Sequence, residues 1–147
     1  MRIRGSWLVV VATVAAMLAS TAGADSGGWE SPDSLAGLVG SYTRPPFGGG
    51  PIAFVTLAGG DGYRAEGPYT RFFDVGRGQL GIQTGTYLAI GNNPLIGPVI
   101  TFLDDAGSAR DTFAIAGIKH DPLGVKIIAI ELIDGNGKLF ALVRVGL

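Results

Sequence analysis

The chain has 147 residues, enough for one domain, and it contains no cysteine, so disulfide bonds and the acylated cysteine of a lipoprotein are both excluded. Its 11 basic and 12 acidic residues give a net charge of −1, and the basic residues are scattered singly along the sequence. A nucleic-acid surface needs clustered cations that displace counterions, so nucleic-acid binding is not expected.

The first two dozen residues have the layout of an export signal. Arg2 and Arg4 precede an apolar run at residues 8–19, and Ala22-Gly23-Ala24 has the small-x-small pattern of a signal peptidase site. The run is too short for an ordinary transmembrane helix, which needs about 20 residues. We therefore expect residues 1–24 to be a cleaved signal peptide and the product to be secreted, extracellular or periplasmic, with no membrane span. An uncleaved anchor and a helix packed on the domain are the alternatives.

Residues 25–34 are predicted to form a flexible N-terminal segment that leads into a short helix. Ser31 is a suitable capping residue, Pro32 fits the first helical position, and Asp33 suits the positive end of the helix dipole. Gly37 would end the helix after one or two turns. No other part of the mature chain has a convincing helical pattern.

From residue 35 to residue 147 the sequence alternates short apolar runs with turn residues, and we interpret this part as one β domain. The runs contain β-branched and aromatic residues and are separated by glycine, proline, asparagine and aspartate. Gly67 and Pro68 are expected to break one strand into two. The predicted strands are residues 40–44, 52–57, 63–66, 69–75, 80–90, 99–103, 110–118, 125–133 and 139–145.

This spacing predicts an all-β fold. No helical segment is long enough to connect parallel neighbours, so the strands should pair antiparallel and in chain order. A meander of about eight strands removes its exposed edges by closing on itself. The predicted fold is a single antiparallel up-and-down β-barrel of about eight strands with one short N-terminal helix, and a two-sheet β-sandwich is the alternative.

Three residues form the structural anchor of this prediction. Gly40 and Tyr42 make a Gly-x-aromatic step on the first strand, and Arg144 lies on the last. With the helical turn before them, they resemble the lipocalin-like, or calycin, barrels, in which a basic residue of the last strand packs over the aromatic ring of a Gly-x-Trp step; tyrosine stands here for tryptophan. The resemblance implies a guanidinium within about 6 Å of the Tyr42 ring, which is a packing feature and not an active site.

The resemblance also implies a non-enzymatic barrel that binds a small apolar ligand. Phe54, Phe102 and Ile127 are the candidate residues of the lumen. Glu131 is added because it lies in the most apolar strand, where it could point inward and pair with an arginine or face solvent instead.

The alternative function is a secreted protein-interaction module, such as an inhibitor of an exported enzyme, or a barrel that associates with itself. Residues 25–34, with Trp29, would then be the interacting arm. An outer-membrane barrel is disfavoured because the runs are mostly five to eight residues, whereas membrane strands need about 9–11.

An enzyme is not expected. His120, the single histidine, stands beside a turn, and without cysteine any serine or threonine nucleophile would need this one histidine nearby. No cofactor or metal is predicted either. Asp134 opens an Asp-Gly-Asn-Gly sequence that suits a type I′ hairpin, and it lacks the glutamate at the twelfth position of a calcium loop.

Overall fold

The structure is a computed structural model that describes residues 28–146, so the expected signal peptide and residues 25–27 lie outside the described residues. It shows a closed barrel in which eight antiparallel strands follow one another in chain order. The prediction of an all-β up-and-down barrel is confirmed, and the sandwich alternative is wrong. The strands are β1 (Gly40–Thr43), β2 (Phe54–Leu57), β3 (Arg64–Gly76), β4 (Gln79–Ile90), β5 (Val99–Asp104), β6 (Ala109–His120), β7 (Ile127–Ile133) and β8 (Leu139–Arg144).

The short helix predicted from Ser31 is absent, since residues 31–38 hold only a bend and a turn. The Ser31 hydroxyl donates to the Asp33 carboxylate at 3.0 Å and caps no helix. The Leu35 amide donates to a carbonyl of the β2–β3 loop at 2.8 Å, and the Val39 amide donates to a carboxylate of that loop at 3.1 Å. These long-range bonds take the amides that a helix would have used. Across residues 28–146 there is no helix that could span a membrane.

The predicted break at Gly67 and Pro68 is also wrong, because β3 runs through both residues. The Pro68 carbonyl accepts from the Ala58 amide at 3.0 Å, so the proline nitrogen, which has no hydrogen, faces the same side just beyond the end of β2. The Ala58 carbonyl, which would have paired there, accepts the Tyr87 hydroxyl instead at 2.8 Å. A tyrosine side chain thus replaces the hydrogen bond that the proline cannot make.

The β3–β4 hairpin is longer than its neighbours and projects beyond them. β2 pairs with β3 only at residues 69–72, and β5 pairs with β4 only at residues 85–90. Residues 73–84, which we call the projecting hairpin, therefore extend past the barrel wall at the end where β3 turns into β4.

The interior of the barrel is packed with aromatic side chains. Tyr69, Phe102, Phe113 and Phe140 make three successive edge-to-face contacts, with ring centroids 4.8, 6.1 and 5.4 Å apart. All four are buried. Edge-to-face pairs of this kind stabilise a core beyond the apolar area that they bury.

The two ends of the barrel differ. At the closed end, where β1 begins and β8 ends, residues 28–39 cross the opening, and the fully buried Leu35 and Leu38 fill it. At the open end, where the projecting hairpin lies, the β1–β2 loop packs against the core through the fully buried Ile52 and through Gly50, which lies next to the Phe140 ring.

The start of the described chain is bound to the wall of the barrel. Glu30 and Ile118 form an antiparallel bridge, with hydrogen bonds of 2.8 and 3.1 Å, beyond the point where β5 stops pairing with β6. Trp29 packs over Gly117, and the Lys119 ammonium lies 4.6 Å from the centre of the Trp29 ring. The segment around Trp29 is therefore attached to β6.

Candidate functional site: the mouth of the barrel

The anchor residues meet at the closed end. Tyr42 and Arg144 are register partners on β1 and β8, and the guanidinium carbon lies 5.0 Å from the centre of the ring. The contact expected between these two side chains is therefore present. Arg144 also donates to the carbonyls of Ile127 and Gly37, at 2.7 and 2.6 Å. A Cβ atom on Gly40 would lie 1.9 Å from the guanidinium, so only glycine leaves room for it.

The Tyr42 hydroxyl completes this cluster. It donates to the Leu38 carbonyl at 2.5 Å and receives a hydrogen bond from Arg144 at 3.0 Å. Burial raises the pKa of Tyr42 well above its ordinary value, so the hydroxyl keeps its proton. The cluster joins the first strand, the last strand and the covering segment, and it is a structural centre.

The four predicted lumen residues do not form one site. Phe102 and Ile127 are fully buried in the core. Phe54 lies on the outer face of β2, because its neighbour Val55 points inward, and it makes an edge-to-face contact with Phe72 at 6.0 Å. Phe54 therefore does not line the lumen, and this corrects the sequence interpretation.

Glu131 also lies on the outer face. Ile130 and Leu132 on either side of it belong to the core, and Glu131 stands opposite Gly117 of β6. Burial raises the pKa of the Glu131 carboxyl, and the charge of Lys119 opposes that rise. Glu131 therefore does not point into the barrel.

A cavity of about 500 Å³ lies at the open end, and we call it the mouth. It lies between the projecting hairpin and the start of β6, and it is open to solvent. Its wall combines apolar side chains with a group of charged and amide side chains. The lining residues are Pro51, Arg71, Phe73, Asp74, Ile82, Gln83, Ala109, Arg110 and Asp111.

Arg71 is the central polar residue of the mouth. It lies on the inward face of β3, and only 5% of its surface is exposed. Its Nε donates to the Gln83 amide oxygen at 2.8 Å, and its Nη2 contacts both Gln83 and the Asp111 carboxylate. The guanidinium stacks 4.8 Å above the centre of the Phe102 ring and 5.9 Å from that of Phe73. The buried charge is thus held by one carboxylate, one amide and two aromatic faces.

Some donors of the mouth are not used by the protein. Among residues 28–146, Arg71 Nη1 has no hydrogen-bond acceptor. This atom is not sealed from solvent. Arg110 has no ion pair within the same part of the chain, whereas Asp74 is paired with Arg44 at 2.7 Å. The mouth therefore retains guanidinium donors that no described residue uses, while its two arginines are matched in number by Asp74 and Asp111.

The sequence interpretation missed this site. In the sequence Arg71 is one of several scattered basic residues, and the only local signal is the alternation of Tyr69, Arg71 and Phe73, which places an arginine between two aromatic residues on one strand face. Gln83 and Asp111 could not be joined to Arg71 without the strand register, because they lie 12 and 40 residues away in sequence. His120, by contrast, lies at the closed end, where its Nδ1 is 2.9 Å from a Glu30 carboxylate oxygen.

Comparison of the chain with models of known protein families, with curated proteins and with solved structures gave no significant match. Any function of the barrel and its mouth must therefore be inferred from the residues of this chain alone.

Proposed function

We propose that this protein is an exported, non-enzymatic barrel of lipocalin-like type that binds a small molecule in its mouth. The observation that carries the proposal is a solvent-open cavity of about 500 Å³ with the buried cation of Arg71 in its wall. A volume of this size falls within the ordinary range of small-molecule sites. Export is supported by the signal-like residues 1–24, and the lipocalin-like assignment by the ring–cation contact between Tyr42 and Arg144.

The proposed ligand position differs from the central lumen expected at first. The edge-to-face rings of Tyr69, Phe102 and Phe113 occupy the interior directly beneath the mouth. A ligand would rest on this aromatic layer, with the projecting hairpin beside it, and would not thread through the barrel. Polar side chains in an otherwise apolar wall are what orient a ligand in such a site.

Titration calorimetry with 8-anilinonaphthalene-1-sulfonate tests the proposal. Ala109→Phe places a ring in the wall of the mouth and should weaken binding by about tenfold or more. Ala36→Phe adds the same ring at an exposed position of the closed end and is the matched control. Absence of binding to the wild-type protein, or equal binding to both variants, would refute a small-molecule site in the mouth.

A self-associating interaction module is the second candidate, and the projecting hairpin supports it. Ile82 is 64% exposed, and Leu80 and Val75 are more than half exposed. Residues 79–84 carry no charge, and their outer edge has no partner strand among the described residues. A neutral free edge with apolar side chains favours pairing with the same edge of a second copy.

Sedimentation velocity over a range of concentrations tests this candidate. The wild-type protein should form dimers, and Ile82→Lys should be monomeric. Leu95→Lys changes an apolar residue at the closed end that is 93% exposed, and it should still dimerise. A monomeric wild-type protein would eliminate the candidate. The version with an N-terminal arm has no support from the described residues, since Trp29 and Glu30 are bound to β6.

A further inference from the structure

We infer that the ligand of the mouth is a compact organic anion whose carboxylate takes the place of Asp111 on Arg71. The inference rests on the proposed small-molecule function and specifies the chemistry of that site. Three observations support it: the guanidinium of Arg71 has an unoccupied donor, Asp111 can turn away from it, and aromatic rings lie beneath it.

The donors of Arg71 are only partly used. A guanidinium has five N–H donors in a fixed planar arrangement. Gln83 occupies Nε and shares Nη2 with Asp111, while Nη1 has no acceptor in the described chain. A carboxylate that bridges Nη1 and Nη2 would make the bidentate pair that arginine favours, and it would leave the Nε bond to Gln83 in place.

Asp111 is the partner that can leave. Its side chain is 47% exposed, whereas that of Arg71 is only 6% exposed. The Asp111 carboxylate can therefore turn into water, while the buried guanidinium needs an acceptor at all times. A ligand carboxylate supplies that acceptor, so Asp111 acts as an internal counter-ion that holds the empty site. Arg110, on the rim and without an ion pair in residues 28–146, adds a second positive charge that attracts anions.

The aromatic layer limits the size of the ligand. The Phe102 ring lies directly under the guanidinium, and the Tyr69 ring lies 4.8 Å from that of Phe102, so there is no space for a long chain below the carboxylate. The apolar part of the ligand would rest against Phe73 and Pro51 in the wall of the mouth. This geometry suits an aromatic or short-chain carboxylate.

The test compares 1-naphthoate with 1-naphthalenemethanol, which share an apolar body and differ in charge. Calorimetry on the purified protein should show about tenfold tighter binding of the naphthoate. Arg71→Gln should remove this preference, and Arg64→Gln, an exposed arginine at the closed end, should preserve it. Asp111→Asn removes the competing carboxylate and should tighten naphthoate binding by about threefold or more.

Each outcome decides a separate point. Equal binding of the two compounds to the wild-type protein would refute the anion inference and leave the small-molecule function standing, whereas binding of neither would refute both. A preference that survives Arg71→Gln, or an Asp111→Asn variant that binds naphthoate more weakly, would also refute the inference. If Arg71→Gln does not fold by circular dichroism, the wild-type comparison and Asp111→Asn decide. Hexadecanoate bound about a hundredfold more tightly than octanoate would refute the compact ligand.

Discussion

Replacement of Arg144 by methionine tests the closure of the barrel most directly. The change removes two hydrogen bonds from a charged donor to carbonyls, at 2.7 and 2.6 Å, each worth about 1.5–3 kcal/mol. It also removes the cation over the Tyr42 ring, worth about 0.5–2 kcal/mol. Because Arg144 is only half-buried, water can reach part of the cluster and recover some of this energy. We therefore expect the free energy of unfolding to fall by about 3 kcal/mol.

Thermal and urea unfolding followed by circular dichroism would measure this loss. For a domain of this size, about 3 kcal/mol corresponds to a fall in Tm of about 12 °C. Arg144→Lys keeps the charge without the planar set of donors, and its free energy of unfolding should lie between those of the wild-type protein and Arg144→Met. The control is Arg64→Met, which breaks a pair with Glu66 that is more than half exposed, and it should change stability by less than about 0.5 kcal/mol. A loss below about 1 kcal/mol for Arg144→Met would refute the reasoning.

Four further variants test the burial of polar groups. Tyr87→Phe removes the hydroxyl that donates to the Ala58 carbonyl opposite Pro68, and it should lower the free energy of unfolding by about 1–2 kcal/mol. Tyr69→Phe removes a hydroxyl with no partner in the described chain, and it should be neutral or stabilising in the same melts. Burial raises the pKa of Glu131 in the folded state, so the free energy of unfolding falls as the pH rises from the ordinary pKa of the carboxyl through the raised pKa. Glu131→Gln should therefore be more stable than wild type in urea at pH 7 but equal to it near about pH 3. Arg71→Met combined with Asp111→Leu should leave stability unchanged or higher while the preference for naphthoate over 1-naphthalenemethanol is lost, and a large destabilisation would show that the ion pair is structural.

The course of the chain could be predicted from the sequence because its turns are local. Glycine, asparagine and aspartate between apolar runs mark the hairpins, and the meander and its closure follow from their spacing. The two failures have long-range causes. The segment after Ser31 forms no helix because a distant loop takes its amides, and β3 continues through Pro68 because the Tyr87 hydroxyl satisfies the carbonyl left without a donor.

The candidate site was harder to predict than the fold, because it depends on which strand face points inward. The sequence suggests Phe54 as a lumen residue, but Val55 and Leu57 define the inward face of β2. For Glu131 the sequence leaves an inward and an outward position open, and Ile130 and Leu132 decide for the outward one because they fix the phase of β7. A shift of one residue exchanges the two faces of a strand, so an error in phase reverses the assignment of every side chain.

The two ends of the barrel differ in how they hold a buried arginine. At the closed end, Arg144 donates to two carbonyls and to the Tyr42 hydroxyl, and the fully buried Leu35 and Leu38 pack beside this cluster. At the open end, Arg71 is buried more deeply than Arg144 and is held by one amide and one carboxylate; among the described residues Nη1 of both arginines has no acceptor. A buried charge is rarely retained for stability, because a well-packed apolar pair usually serves the fold as well or better. The contacts of Arg144 join both terminal strands and the covering segment, so they hold the barrel together, whereas Arg71 joins no chain ends, and this difference is why we propose a ligand role for Arg71 and not for Arg144.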